Sequence, residues 1–192
     1  MSVEIQWLGH STWLLENQGH RILFDPYLND NPAATQKADQ VNADFILITH
    51  GHFDHILDAL SIAKRCDALV LANFEIANWI QAQGHSKVQP LNLGGSVDLP
   101  FGKVKLVHAI HSSGLPDGSY GGTAGGYLIQ FPGCRFYNVG DSAYFSDLAL
   151  HARPTVDVMI VPIGDLFTMG VEDSVRAVDT VRPKVVLPTH YN

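Results

Sequence analysis

The sequence predicts an α/β fold built as two matching halves. Three observations carry this reading. Each half opens on short strand-like runs, each then changes to continuous apolar strands interleaved with helical patterns, and no linker-like stretch separates the two.

In the first half, Val3 to Leu8, Thr12 to Glu16 and Arg21 to Phe24 are divided by Gly9-His10-Ser11 and Asn17-Gln18-Gly19, the pattern of an antiparallel meander. Asp25-Pro26 ends the third strand, and the polar stretch from Asn29 to Asn42 reads as a surface loop. Phe45 to Ile48 is then a wholly apolar strand of the kind covered on both faces. Ile56, Ala59, Leu60 and Ala63 recur at helical spacing, Ala68 to Ala72 is a strand, and Asn73 caps a helix carrying Ile76, Ala77 and Ile80 that stops at Gly84.

The second half is expected to begin with strands at Lys87 to Leu91 and Val104 to Ala109, followed by a Gly-rich loop from Ser112 to Gly122. Gly125 to Phe131 and Arg135 to Val139 form a hairpin across Pro132-Gly133. A strand from Val156 to Pro162, a helix with Val171, Val175 and Val178 on one stripe, and the strand Val185 to Leu187 complete a β-α-β unit.

The 192 residues suit one compact domain, 1–192, and 46% hydrophobic against 16% charged residues is enough to bury a core. A formal net charge of −7 argues against nucleic acid as the main partner, because phosphate binding needs a surplus of Lys and Arg. The partner expected is a small-molecule substrate. Cys66 and Cys134 have no ligand spacing and read as inert thiols. The N-terminus lacks the basic start and apolar run of a signal peptide, and no stretch approaches membrane-spanning length, so the expected compartment is the cytoplasm.

The chemistry is concentrated in His50-x-His52-x-Asp54-His55, a pattern that composition alone produces somewhere in the chain roughly two times in a thousand. Imidazole nitrogens and a carboxylate are ligands for first-row metals, and a tight strand-to-helix turn lets several converge. Three other apolar strands run toward a potential ligand: His111, Asp141 and His190. Strand ends gather at one edge in layered α/β folds, where ligands bind. His108 competes with His111 for the third role, but alternation puts the two on opposite sides, which favours His111.

This arrangement resembles the metallo-β-lactamase superfamily over nearly the whole chain. The residues that carry the resemblance are Asp25, the run His50 to His55, His111, Asp141 after Gly140, and His190. Gly9-His10-Ser11, Asp25-Pro26, His111-Ser112, Pro162-Ile163-Gly164-Asp165, Thr168-Met169-Gly170 and Pro188-Thr189-His190-Tyr191-Asn192 look like a branch of metal-dependent hydrolases related to ascorbate-phosphate lactonase. The resemblance implies a four-layer αββα sandwich, two mixed sheets packed face to face with helices outside. It also implies a binuclear site, with His50, His52 and His111 on one metal, Asp54, His55 and His190 on the other, and Asp141 bridging. Asp25 is implied as a structural brace of the metal loop.

With no sulfur among these ligands, zinc is the first expectation, and manganese, iron and nickel remain open. The expected reaction is hydrolysis of a small ester, lactone, thioester or phosphodiester by a hydroxide held on the metals, with Asp54 orienting it. His10 and Tyr191 are candidate catalytic side chains beside the pocket, the plainer readings being a solvated loop histidine and a packing tyrosine. His20, His85 and His151 are expected at the surface, and Gly121-Gly122 and Gly125-Gly126 in a flexible pocket-shaping loop.

Family members continue past the last histidine, whereas this sequence stops two residues after His190. The final segment of the pattern is therefore expected to be absent: either the sequence is trimmed, or metal binding and a neighbouring subunit hold the end, compatible with a homo-oligomer. Three rival readings remain: a nuclease of the same fold, an iron-dependent redox or dioxygenase protein, and a non-catalytic metal-binding protein. The acidic charge weighs against the first, His52 against the second, and the complete set of seven ligands against the third.

Overall fold

The computed structural model describes residues 2–191, which divide into two compact units. The first extends to Asn92 and takes in Ser112–Thr123; the second holds Leu93–His111 and the chain from Ala124 onward. Each unit contains one mixed six-stranded sheet, so the fold is α/β, as the sequence predicts.

In the first unit, β1 (Glu4–Gly9), β2 (Thr12–Asn17) and β3 (His20–Phe24) form the antiparallel meander. Then β4 (Phe45–Leu47), β5 (Leu69–Asn73) and β6 (Val88–Leu91) add in parallel, giving the order β1-β2-β3-β4-β5-β6. Between β4 and β5 lie α1 (Phe53–Ile56) and α2 (Ala59–Cys66), and between β5 and β6 lies α3 (Phe74–Ala82). The single helix expected after β4 is thus broken at Leu57-Asp58. There the buried Asp58 carboxylate accepts from the backbone N–H of Leu28 and Asn29 and from the Asn29 amide, tying the loop after Pro26 to the start of α2. Asn73 caps α3 as expected, its side chain accepting from Ile76 N–H. The core of this unit packs Leu23, Ile46, Ile48 and Val70 from the sheet region against Ile56, Ile62, Ile76 and Ile80 from the helices.

The second unit repeats the scheme. β7 (Ser96–Leu99), β8 (Gly102–His108), β9 (Gly125–Phe131) and β10 (Cys134–Asn138) are antiparallel, and β11 (Val158–Pro162) and β12 (Val185–Thr189) add in parallel. The predicted hairpin closes with Phe131 opposite Cys134. α4 (Leu148–His151) follows β10, and α5 (Val171–Val181) joins β11 to β12.

Three expectations are corrected here. β6, expected to open the second half, is the last strand of the first sheet, because Val88–Leu91 pairs in parallel with β5. The true opening strand β7 was not anticipated, since Ser96–Leu99 carries only two apolar residues. On α5 the buried positions are Ser174, Ala177 and Val181, while Val171 and Val175 are 64% and 54% exposed. Both stripes fit a helical period, and small side chains on the docked one let Ser174 Oγ reach the Pro162 carbonyl at 2.5 Å and the Gly170 carbonyl at 2.8 Å. Among the described residues no helix is long and apolar enough to cross a membrane.

Candidate metal centre

The first unit brings together five of the predicted side chains on the segments that leave β1 and β4. The run His50 to His55 begins three residues past β4 and turns into α1, so a six-residue stretch presents four donors. His50 and His55 are wholly buried, with ring centroids 4.1 Å apart, and the His50 and His52 rings lie 4.6 Å apart. His55 Nε2 is 3.7 Å from Asp54 Oδ2.

Hydrogen bonding sets which nitrogens can bind a cation. Asp25, buried at the end of β3, accepts from Thr49 N–H at 2.8 Å and from Thr49 Oγ–H at 2.7 Å. Because that hydroxyl proton is committed to Asp25, Thr49 Oγ1 is the acceptor for His50 Nδ1–H at 3.0 Å, which leaves Nε2 of His50 with its lone pair. His55 Nδ1 donates to Asp25 Oδ2 at 3.0 Å, leaving Nε2 of His55 as the donor atom toward a metal. His50 Nε2 and His52 Nδ1 are 2.9 Å apart, and His52 Nε2 is 3.2 Å from Ser112 Oγ. If His52 Nε2–H donates to Ser112, two nitrogen lone pairs face each other, an arrangement that a shared cation stabilises. The predicted structural role of Asp25 is therefore visible in its contacts. Burial raises its carboxyl above the ordinary value, against the lowering pull of His55 and Thr49.

His10 reaches this cluster from the turn between β1 and β2. Its Nε2 is 3.0 Å from Asp54 Oδ2, and its own backbone carbonyl accepts from the Trp7 indole at 2.9 Å. His10 and Asp25 both have positive φ, 51° and 43°, in the left-handed region that costs a non-glycine residue about 1 kcal/mol or more. Two of the residues that organise the run are thus held in strained backbone.

In the second unit, His111 lies three residues beyond β8, Asp141 three beyond β10, and His190 directly after β12. Asp141 Oδ2 is 3.0 Å from His190 Nε2 and 3.8 Å from His111 Nε2, so these three side chains converge as well. His190 is another left-handed residue, with φ 56°. Gly164 packs directly against it: an added Cβ would fall against the His190 carbonyl and lie 2.8 Å from its Nδ1. His108 ends β8 with an exposed side chain against Phe145, away from the role given to His111. Tyr191 is half-buried beside His190.

Sequence reasoning gave no part in the site to Thr49 or Ser113, and named Ser112 and Gly164 only within motifs that carry the resemblance. The Ser113 hydroxyl accepts from Gly51 N–H at 3.0 Å and donates to the Gly121 carbonyl at 2.8 Å, while Asn73 Nδ2 donates to the same carbonyl at 2.6 Å. An added Cβ on Gly121 would lie 2.5 Å from the Ser113 carbonyl oxygen, and one on Gly122 within 2.8 Å of Asn73. The segment expected to be a flexible loop is instead pinned to the run His50 to His55 and to the start of α3. His85, expected at the surface, is buried, with its Nε2 2.9 Å from the Ala68 carbonyl. His20 and His151 are half-buried against Phe45 and Tyr137. The thiol of Cys134 is raised above its ordinary value by burial and then by Asp157, consistent with an inert group.

The beta-lactamase superfamily domain matches residues 4–190. The chain belongs to the metallo-β-lactamase superfamily. It is 46% identical over 192 residues to a UPF0173 metal-dependent hydrolase of Methylacidiphilum infernorum, a match that covers 99% of this chain and 85% of the relative. A UPF0173 metal-dependent hydrolase of Thermus thermophilus is 44% identical over 190 residues, covering 99% and 84%. Among solved structures, Igni18, a metallo hydrolase of Ignicoccus hospitalis, superposes with a TM-score of 0.87 at 31% identity, covering 99% of this chain and 83% of that one. The protein is a metal-dependent hydrolase of this superfamily, with a His/Asp cluster capable of holding metal.

Proposed function

We propose that this metallo-β-lactamase family member is a hydrolase of small esters, lactones, thioesters or phosphodiesters that works with two divalent metal ions, zinc first and manganese, iron or nickel as alternatives. His50, His52 and His111 would hold one ion, Asp54, His55 and His190 the other, and Asp141 would bridge. The observation that carries the reading is the protonation pattern fixed by Asp25 and Thr49, which turns the Nε2 lone pairs of His50 and His55 toward a cation. When bound, such a pair supplies an acidified water near neutral pH and polarises the scissile carbonyl or phosphoryl oxygen.

The protein's own groups have separable tasks. Asp25 holds His55 in one tautomer and Thr49 does the same for His50, while Ser112 Oγ steadies the His52 ring at 3.2 Å. His10 fixes the orientation of the Asp54 carboxylate and is placed to exchange a proton with it. Tyr191 is offered as a hydroxyl near the leaving group. With a net charge of −7, the substrate is a small molecule and not a nucleic acid.

The test is metal analysis of purified protein together with lactone, thioester and phosphodiester substrates, for native protein and Asp54→Ala. Turnover by the native protein that falls at least about a hundredfold in the variant is expected. An inactive native protein on a broad panel, or an equally active variant, sinks the reading.

A further inference from the structure

The residue between His52 and Asp54 in the chain is Phe53, and its ring is 58% exposed. Leu57, one helical turn on, is 41% exposed. A large apolar ring at the surface is ordinary when isolated, but this one is not isolated. Tyr27, from the loop after β3, meets Phe53 edge to face, with ring centroids 5.9 Å apart and planes at 87°. The same Tyr27 ring stands edge-on to His10 at 6.0 Å, and His10 in turn contacts Asp54. Tyr27 is itself fixed, its hydroxyl donating to the Asp30 carbonyl at 2.9 Å. Burial, followed by the charges of Asp30, Asp54 and Asp58, raises the phenol above its ordinary value, so the ring is neutral at physiological pH.

Resting on the hydrolase reading above, we propose that Phe53, Leu57 and Tyr27 form the binding face for an aromatic or bulky apolar group of the substrate, next to the bond that is cleaved. Edge-to-face ring packing leaves the open face of Phe53 for a further apolar partner. The polar work of the site is done by neighbouring side chains, so the substrate class is an aryl or long-alkyl ester or lactone, in preference to a small polar one. Phe53 acts on specificity: it contacts the part of the substrate that does not react, and raises kcat/KM for bulky over small members of a series.

Two readouts test this. In the first, kcat/KM for phenyl acetate and methyl acetate is measured with metal-loaded native protein, Phe53→Ala and Phe53→Leu, with metal content determined for each. The phenyl-to-methyl ratio should fall about tenfold in Phe53→Ala and less in Phe53→Leu; an unchanged ratio at equal metal content overturns the proposal. The second needs no turnover. By calorimetry, 1-naphthaleneacetate should bind native protein about tenfold more tightly than acetate, a preference that Phe53→Ala removes. Equal binding of the two anions, or a preference that survives in Phe53→Ala, overturns the proposal even when esters are cleaved. Absence of hydrolysis across the ester, lactone, thioester and phosphodiester panel, with the naphthyl preference intact, would instead sink the hydrolytic reading and keep the aromatic face.

Discussion

The two His/Asp clusters of this protein are assembled in different ways. In the first unit, four donors come from one six-residue run, and several meet a supporting side chain outside the ligand set: His55 meets Asp25, His50 meets Thr49, and Asp54 meets His10. In the second unit, three side chains come from three separate segments, and Asp141 lies within reach of both His190 and His111. A contiguous run braced by buried hydrogen bonds is set in place by folding itself. A cluster drawn from three chain segments is only as well placed as the sheet that carries them.

The largest expected effect tests the brace. Asp25→Ala would strand the N–H and O–H of Thr49 and Nδ1–H of His55 in a dry interior, so thermal unfolding should show a loss of about 3 kcal/mol, or roughly 10 °C in Tm. A variant that unfolds at the native temperature would mean that the first cluster is not pre-set by this carboxylate. Next in size is Gly164→Ala, which forces the added methyl against His190. Zinc titration monitored by calorimetry should then show the site that uses His190 weakened by about 10–100-fold, with the other binding event near its native affinity. Equal weakening of both events would erase the distinction between the clusters.

A smaller change is expected from Ser112→Ala, which removes the partner of His52 Nε2 while leaving the ring in place. Zinc affinity should drop by about tenfold or less, with the folded state unaltered by circular dichroism. The smallest effect concerns the pinned loop. The Asp117 carboxyl is lowered to about 2, first by the Ser119 hydroxyl, then by Ser119 N–H and the Trp79 indole. Its folded value lies below the ordinary 3.8, so the tie to Trp79 is fully present above pH 3.8 and is lost as pH falls toward 2. Indole fluorescence should report a transition in that window for native protein, and Asp117→Asn should remove it.

Much of this molecule is legible in its sequence. The meander, the Asn73 cap and the hairpin over Pro132-Gly133 are written in local signals of a few residues, and local hydrogen bonding realises them. The run His50 to His55 is equally local, which is why its chemistry can be read from spacing alone. Less legible was the docking of α5, because Val171 and Val175, which stay exposed, share a helical period with Val178, which packs against the core beside Ala177 and Val181. Only the contact with Pro162 decides between the two stripes. His85 looked like a surface residue because its flanks are polar, yet the Ala68 carbonyl gives its ring a buried partner.

By itself, then, the sequence determined the α/β alternation and the order of the histidines and aspartates that make candidate ligands, because those depend on residue type and short-range spacing. Only the tertiary structure decided which sheet received β6, which tautomers His50 and His55 adopt, that Ser113 and Asn73 pin the glycine-rich loop, and that Phe53 stands exposed against Tyr27. Apart from the Thr49–His50 pair, whose direction is itself set by the distant Asp25, each of these is a contact between segments far apart in the chain. Its outcome depends on which groups reach one another once the backbone is packed, and no local pattern carries that information.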